Sequence, residues 1–139
     1  MHKFSLPIML CILIIGCIPD SPLDSEDSDD VTNIFTSYLM QGAKVVSNDG
    51  TDTFLGEITG KYHLNSIFNK NGLYGSEHSI LSIWNPYSMY GSKYSIYSAF
   101  NDYTLTPTRI IKNNEEIGYL TTNNLVSGGV SPSFLQSLF

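Results

Sequence analysis

The chain has 139 residues and a formal net charge of −6, which leaves room for one domain with a modest core. Hydrophobic residues make up 42% of it and charged residues only 14%. These values exclude a fully disordered chain and a coiled coil, both of which need more charge. The acidic balance also excludes a basic nucleic-acid-binding protein.

The N-terminus has the features of an export signal. A short positive start, Met1-His2-Lys3, precedes an almost wholly apolar stretch at residues 4–15. A bilayer-spanning helix needs about 20 apolar residues, so this stretch is too short to cross a membrane. Its length is typical of the core of a signal peptide, which we place at residues 1–16.

The signal ends in LIIGC at residues 13–17, which resembles the lipobox of bacterial lipoproteins. The resemblance implies cleavage between Gly16 and Cys17, and it implies that Cys17 carries diacylglycerol and a further fatty acid such as palmitate. Two or three acyl chains anchor a protein stably, so we expect attachment to a membrane of the bacterial envelope. The alternative is an ordinary secretory signal in which Cys17 is incidental. Cys11 is the only other cysteine, so the exported domain contains no disulfide and no cysteine ligand or nucleophile.

An acidic segment follows the lipobox. Residues 18–30 read IPDSPLDSEDSDD and hold six of the thirteen acidic residues, whereas residues 31–139 contain six basic and seven acidic residues. Repulsion between like charges predicts an extended tether over residues 17–30. The plainer interpretation is a spacer. The alternative is a sorting signal, because acidic residues after the lipidated cysteine resemble surface-export signals, and Ile18 fits release to an outer membrane if the cell has one.

A single domain is predicted over residues 31–139, and it starts with a helix over residues 31–41. Asp30 is the expected N-cap and Gly42 the expected end. The helix has one apolar stripe, consisting of Val31, Ile34, Phe35, Tyr38 and Leu39.

Two similar β-hairpins are predicted at residues 44–59 and 109–121. Each has a basic residue, two branched residues and an Asn-containing turn, and then LGEIT or IGYLT. One hairpin alone is marginal in water, so we expect both to pair in one small sheet. The expected fold class is mainly β with short flanking helices (α+β).

Between the hairpins, residues 62–106 contain a 16-residue repeat. SIFN at residue 66 recurs as SIWN at residue 82 and SAFN at residue 98, and YGS at residue 74 recurs at residue 90. We expect loop-rich units with little regular hydrogen-bond ladder, in which serines satisfy backbone groups. These units should stack on one another or on the sheet. In each unit the aromatic ring should point inward, the asparagine should turn the chain, and the glycine should adopt a conformation that a side chain would forbid.

A short helix over residues 132–138 is predicted to close the chain. Ser131 is its expected N-cap, Pro132 suits the first turn, and Phe134, Leu135 and Leu138 form an apolar face. Residues 127–129, Ser-Gly-Gly, are predicted to be a loop.

Residues 44–135 resemble a group of small exported bacterial proteins of unknown function. The shared elements are LGEI, SIWNPY, YGSKYS, IGYLTTN and SPSFL. The resemblance implies no particular activity and no catalytic residue.

The best candidate binding surface is aromatic. Exposed tyrosine and tryptophan can stack on sugar rings or anchor a protein partner. The candidate residues are Trp84, Tyr87, Tyr90, Tyr94 and Tyr97. The alternative is that these rings form the core of a domain with few aliphatic residues.

Other chemistry finds weaker support. His63, His78, Glu77 and Glu57 could bind zinc only if the fold brought them together, and neither HxxxH nor GxSxG occurs. The NDGTD segment at residues 48–52 falls short of a calcium loop and is typical of a turn. We therefore expect no metal, no cofactor and no catalytic residue.

The sequence thus predicts an envelope lipoprotein whose domain is a non-enzymatic structural or interaction module. Its partners would be the membrane, through the lipid, and an envelope protein or glycan. One alternative is a glycan- or cell-wall-binding module that uses the aromatic repeat. A second is a small envelope hydrolase, which requires His63 or His78 beside a serine or acid within a cleft.

Overall fold

The computed structural model describes residues 25–139, with side chains from Ser28 onward. The predicted signal peptide, the lipidation site Cys17 and residues 18–24 of the predicted tether lie outside this range. Two helices and a five-stranded sheet make up the regular structure. The predicted fold class, mainly β with short flanking helices, is confirmed.

The first helix, α1 (Ser25–Met40), is longer than predicted. It begins six residues before the expected start, so the prediction of an extended tether is wrong for residues 25–30, and Asp30 is not its N-cap. An acidic sequence is favourable here because the N-terminal end of a helix carries partial positive charge. Gly42, with a φ of 77°, ends the helix as expected. The boundary between two units of the chain, Met1–Thr32 and Asn33–Phe139, falls within α1.

The two predicted hairpins form and share one sheet. The first consists of β1 (Ala43–Val46) and β2 (Phe54–Ile58), and the second of β3 (Thr108–Lys112) and β4 (Glu115–Leu120). β1 pairs antiparallel with β3, and Val45 lies opposite Ile110. This pairing joins two hairpins that are more than 45 residues apart in the sequence.

The turn of the second hairpin follows from its sequence. Only Asn113 and Asn114 separate β3 from β4, and their φ angles are 53° and 64°. A two-residue hairpin loop favours positive φ at both positions, and asparagine tolerates this conformation better than most residues.

A fifth strand, β5 (Gly129–Val130), lies parallel to β4 at the edge of the sheet, so the order is β2-β1-β3-β4-β5. The loop predicted over residues 127–129 is therefore wrong for Gly129, which belongs to a strand. A two-residue strand has no periodicity to detect. The pairing depends on close contact, since a Cβ on Gly118 would lie 2.7 Å from the carbonyl oxygen of Gly128.

The core lies on one face of the sheet. Ile67, Ile83 and Ala99, which occupy the same position in the three repeats, are completely buried. They belong to one apolar cluster with Ala43, Val45, Leu55, Ile58, Phe68, Tyr90, Ile110, Leu120 and Leu135. The repeats therefore pack on the inner face of the sheet. Stacking on the sheet was one of the two arrangements predicted for them.

The C-terminal helix, α2 (Pro132–Leu138), has the predicted bounds. Leu135 is completely buried, whereas Phe134 is exposed, so only part of the predicted apolar face is used. Ser131 occupies the N-cap position but its side chain makes no capping hydrogen bond.

Candidate functional site

The repeat region is a regular series of turns, which we call the turn array (residues 60–104). At nearly every third position a backbone N–H donates to the carbonyl oxygen three residues earlier, as in Ser82 to Ser79, Asn85 to Ser82 and Ser88 to Asn85. The prediction of a loop-rich region with little regular ladder is confirmed, since these turns form neither a helix nor a strand. The loops form a continuous hydrogen-bonded path without helix or strand.

Serine and asparagine recur in the turn array because their side chains complete the turns. In each repeat the side-chain oxygen accepts a hydrogen bond from the N–H two residues later, as Ser82 Oγ does from Trp84 and Asn85 Oδ1 from Tyr87. Such local bonds satisfy backbone groups that would otherwise lack a partner. This explains how a polar, serine-rich segment can lie against a core.

Five turns make up each 16-residue repeat, and one of them contains an extra residue. Ser76 and Ser92 donate to carbonyl oxygens four residues earlier, at Gly72 and Ser88. The extra residue falls at the Tyr-Gly pair.

The repeated glycine is required by space. A Cβ on Gly75 would lie 2.1 Å from the carbonyl oxygen of Asn69, and a Cβ on Gly91 would lie 2.1 Å from that of Asn85. Neither glycine has a positive φ. The prediction that a side chain would be forbidden at this glycine is confirmed, and the cause is close approach of the backbone six residues earlier.

The repeated asparagine turns the chain as expected. The Nδ2 atoms of Asn69, Asn85 and Asn101 all donate to the carbonyl oxygen six residues earlier, at 3.0–3.2 Å. Asn85 and Asn101 are buried. Both ends of the amide are thus used, and no other side chain of that length could supply a donor and an acceptor in this way.

The repeated aromatic residues form a ladder, which confirms that they point inward. Phe139 stacks on Phe68 with a centroid separation of 5.5 Å, and Phe68, Trp84 and Phe100 follow at 6.5 and 5.4 Å. Trp84 Nε1 also donates to the carbonyl oxygen of Ile67 at 2.6 Å. Equivalent rings of successive repeats are therefore in contact, and the repeats stack in register.

Several exposed positions also keep the same character from repeat to repeat. We call them the exposed rows: Leu64, Ile80 and Ile96; Leu73, Met89 and Leu105; Tyr87 and Tyr103. Members of a row are 16 residues apart. A buried position stays apolar because its side chain packs in the core, whereas an exposed position has no such packing requirement. The exposed rows therefore place apolar and aromatic side chains in water at matching positions of successive repeats.

An open concave surface adjoins the aromatic ladder. It is an open groove of about 600 Å³, which we call the aromatic groove. Its lining residues are Glu77, Trp84, Pro86, Tyr87, Gly91, Lys93, Tyr94 and Phe100. The volume lies within the range of about 300–1,000 Å³ that small-ligand sites occupy.

Three of the five candidate binding residues meet at this groove. Tyr87 is 96% exposed, Tyr94 is exposed and Trp84 is half-buried. Tyr97 does not line the groove and packs against the core. Tyr90, only 8% exposed, belongs to the core. Its prediction as a surface residue was wrong because its ring covers apolar neighbours while its hydroxyl finds an internal partner.

The sequence analysis did not assign Pro86, Lys93 or Phe100 to the site. A signal for the charged pair did exist, since Glu77 and Lys93 occupy equivalent positions in adjacent repeats. They place opposite charges on the lining of the groove. Nothing in the sequence indicates that Pro86 and Phe100 line the groove and do not simply pack in the core.

The internal partner of Tyr90 is Asp49, in the loop between β1 and β2. Asp49 Oδ1 accepts hydrogen bonds from the Thr51 hydroxyl at 2.6 Å, the Ser47 hydroxyl at 2.7 Å and the Thr51 backbone at 3.0 Å. These bonds, led by that of the Thr51 side chain and joined by that of Tyr90, hold the pKa of Asp49 well below its usual range, against the opposing effect of burial. The loop is the predicted turn, ordered by one carboxylate.

A second polar cluster lies around β3 and β4. Arg109 forms an ion pair with Asp52, and its Nη1 lies 3.8 Å from Glu116 Oε2. Tyr119 donates to Glu116 Oε1 at 2.6 Å, and this bond raises the pKa of Tyr119 above its usual value. Each charged group named here has a partner, which indicates that the cluster stabilises the sheet.

The two histidines within the described residues, His63 and His78, are both exposed in the turn array. His63 Nδ1 is 3.9 Å from Glu57 Oε2, too far for a hydrogen bond, and accepts one from the Asn65 backbone instead. His78 lies in a small pocket with Lys70, Ser76 and Glu77. Within residues 25–139, no three His, Cys, Asp or Glu side chains are grouped in a way that could hold a metal ion.

No helix in the described part of the chain is long and apolar enough to cross a bilayer. Comparison of the chain with protein-family models, with curated proteins and with solved structures found no match.

Proposed function

We propose that this chain is a lipid-anchored, non-enzymatic interaction module of the bacterial envelope, and that it binds its ligand in the aromatic groove. The observation that carries the proposal is the grouping of Tyr87 and Tyr94, both exposed, with the half-buried Trp84 around one cavity. Aromatic side chains in such a position lose apolar contact with water when a ligand covers them.

The chemistry of the groove favours a glycan over other envelope ligands. Aromatic faces can stack on the apolar faces of sugar rings, while hydroxyl groups need donors and acceptors. Lys93 supplies a donor and Glu77 an acceptor at the same cavity, and the tyrosine hydroxyls supply both. The combination of aromatic faces with a few polar groups is typical of sites that fix the orientation of a small ligand.

The exposed rows support an interaction role over a purely structural one. Exposed apolar residues recur in all three repeats at the Leu64, Ile80 and Ile96 positions. A repeated surface of this kind suits a ligand that is itself repetitive, such as a polysaccharide. The exposed rows and the aromatic groove belong to the same turn array.

The anchor is proposed from the sequence LIIGC at residues 13–17. Each buried methylene of an acyl chain contributes about 0.8 kcal/mol, so two or three chains on Cys17 would hold the protein at a membrane. The domain would then meet wall or surface glycans at a short distance from that membrane.

Binding is tested with purified bacterial peptidoglycan sacculi, which are sedimented with the protein. Tyr87→Ala removes an exposed ring from the aromatic groove, and the control Tyr62→Ala removes a ring that is 88% exposed and belongs neither to the groove nor to the exposed rows. We expect Tyr87→Ala to reduce co-sedimentation about tenfold, the equivalent of roughly 1.4 kcal/mol, and Tyr62→Ala to change it much less. Equal co-sedimentation of both variants and the unmodified protein would refute the groove as the site.

The anchor is tested separately with Cys17→Ser. Mass spectrometry of the processed protein should show acyl chains on Cys17, and the variant should lose them and leave the membrane fraction. A mature N-terminus without fatty acid would contradict the anchor and leave the binding test unaffected.

A further inference from the structure

The apolar stripe of α1 faces outward. Ile34, Phe35, Tyr38 and Leu39 are all exposed, and Tyr38 is 77% exposed. Met40, which helical periodicity places on the opposite side, packs against the core cluster. Thr36, also away from the stripe, is less exposed than the apolar residues. A surface helix normally turns its apolar stripe toward its own domain, so here a different partner must cover it.

The chain length before α1 limits where this stripe can be. Eight residue steps separate Cys17 from Ser25, and at about 3.5 Å per step they span at most about 28 Å. If Cys17 is acylated, α1 therefore begins within that distance of the bilayer surface. The stripe follows within the next turns of the helix.

We propose that α1 lies in the membrane interface, with the stripe of Ile34, Phe35, Tyr38 and Leu39 among the lipids, as a second contact beside the acyl anchor. This inference rests on the proposed lipid anchor. Helices of this kind lie in the membrane plane with the apolar face about 5–10 Å deep. Tyr38 suits this position because tyrosine is enriched where apolar and polar layers meet.

A second copy of the chain is a weaker candidate for covering the stripe. Four side chains within six residues of helix offer less than the roughly 800 Å² that each partner of a stable complex buries. Residues 33–40 of α1 contain no charged side chain, so insertion of the stripe among lipids buries no charge. A zwitterionic membrane can accept the stripe without bringing acidic groups onto anionic lipids.

The test uses the absence of cysteine after Cys17. Ile34→Cys places a single labelling site on the stripe, and Thr36→Cys places one on the other side of the same helix. Each full-length variant, processed in a bacterium and reconstituted into phosphatidylcholine vesicles, carries an environment-sensitive fluorophore at the new cysteine. Its emission is compared in vesicles with and without spin-labelled lipid, which quenches fluorophores inside the bilayer.

We expect the label at position 34 to shift its emission to shorter wavelength and to lose intensity with spin-labelled lipid, while the label at position 36 does neither. Protein that floats with the vesicles while both labels behave alike would overturn this inference and leave the anchor intact. A shift at position 34 without quenching would assign the stripe to a protein partner and overturn it as well. Protein that does not float would refute the anchor together with this inference.

Discussion

The hydroxyl of Tyr90 donates a hydrogen bond to Asp49 Oδ2 across 3.0 Å, although 41 residues separate the two in the sequence. Asp49 belongs to the turn of the first hairpin, and Tyr90 belongs to the second repeat. The bond therefore connects the sheet to the turn array at a point where the tyrosine ring enters the core.

The energy of this connection is measurable with a double-mutant cycle. Tyr90→Phe should lower the free energy of unfolding by about 1 kcal/mol, and Asp49→Asn by about 1–3 kcal/mol because the carboxylate also serves Ser47 and Thr51. Urea unfolding of both variants and the double variant should show a coupling energy of at least about 0.5 kcal/mol. If the effects of the two substitutions are additive, the hydrogen bond between Tyr90 and Asp49 contributes nothing to the free energy of unfolding.

The same carboxylate should make stability depend on pH. The pKa of Asp49 is held below its usual range by hydrogen bonds, so folding favours its ionised form. The resulting stabilisation is present above the unfolded pKa of about 3.9 and is lost as pH falls toward the lower folded pKa. The difference in unfolding free energy between unmodified protein and Asp49→Asn should therefore shrink below about pH 4. A difference that stays constant down to pH 2 would contradict this assignment.

The repeated glycine offers a sharp test of the turn array. Gly91→Ala would place a Cβ 2.1 Å from a backbone oxygen, whereas Gly60→Ala would meet nothing within 4 Å. We expect the first change to lower the free energy of unfolding by about 3 kcal/mol or more and the second to alter it by less than about 0.5 kcal/mol. Similar melting temperatures for the two variants would mean that the array does not pack as described.

The aromatic ladder has one polar attachment, the indole N–H of Trp84, which a substitution can remove. Trp84→Phe restores the residue type of the other two repeats but deprives the carbonyl oxygen of Ile67 of its donor. The expected loss is about 1–3 kcal/mol, measured by thermal or urea unfolding. Tyr87→Phe, at an exposed position, is the matched control and should be neutral.

The elements with local signals were predictable. Branched residues around an Asn-rich turn indicated both hairpins, and Ser-Pro before an apolar pair indicated α2. The start of α1 was not predicted because a run of acidic residues is compatible with two structures. It is typical of an extended tether, but it is also favourable in the first turn of a helix. The three-residue period of the turn array was visible in the spacing of serines 76, 79 and 82, but a period of three belongs to neither helix nor strand.

The candidate site was predictable only in part. Residue type suggested an aromatic surface but could not separate Tyr87, which lies in water, from Tyr90, three residues later and buried. Tyrosine is compatible with both environments, and the partner that decides between them, Asp49, is remote in the sequence. The groove exists because stacked repeats bring Trp84 beside Phe100, a contact that no local pattern encodes.

The most direct test of ligand binding uses Trp84, the only tryptophan in the chain. Its ring lines the aromatic groove, so its fluorescence should report on occupancy. Titration of the purified, processed protein with solubilised peptidoglycan glycan should give a saturable change in Trp84 emission, weakened in Tyr87→Ala and preserved in Tyr62→Ala. Emission that stays unchanged up to millimolar glycan would contradict the central claim that this groove binds a glycan.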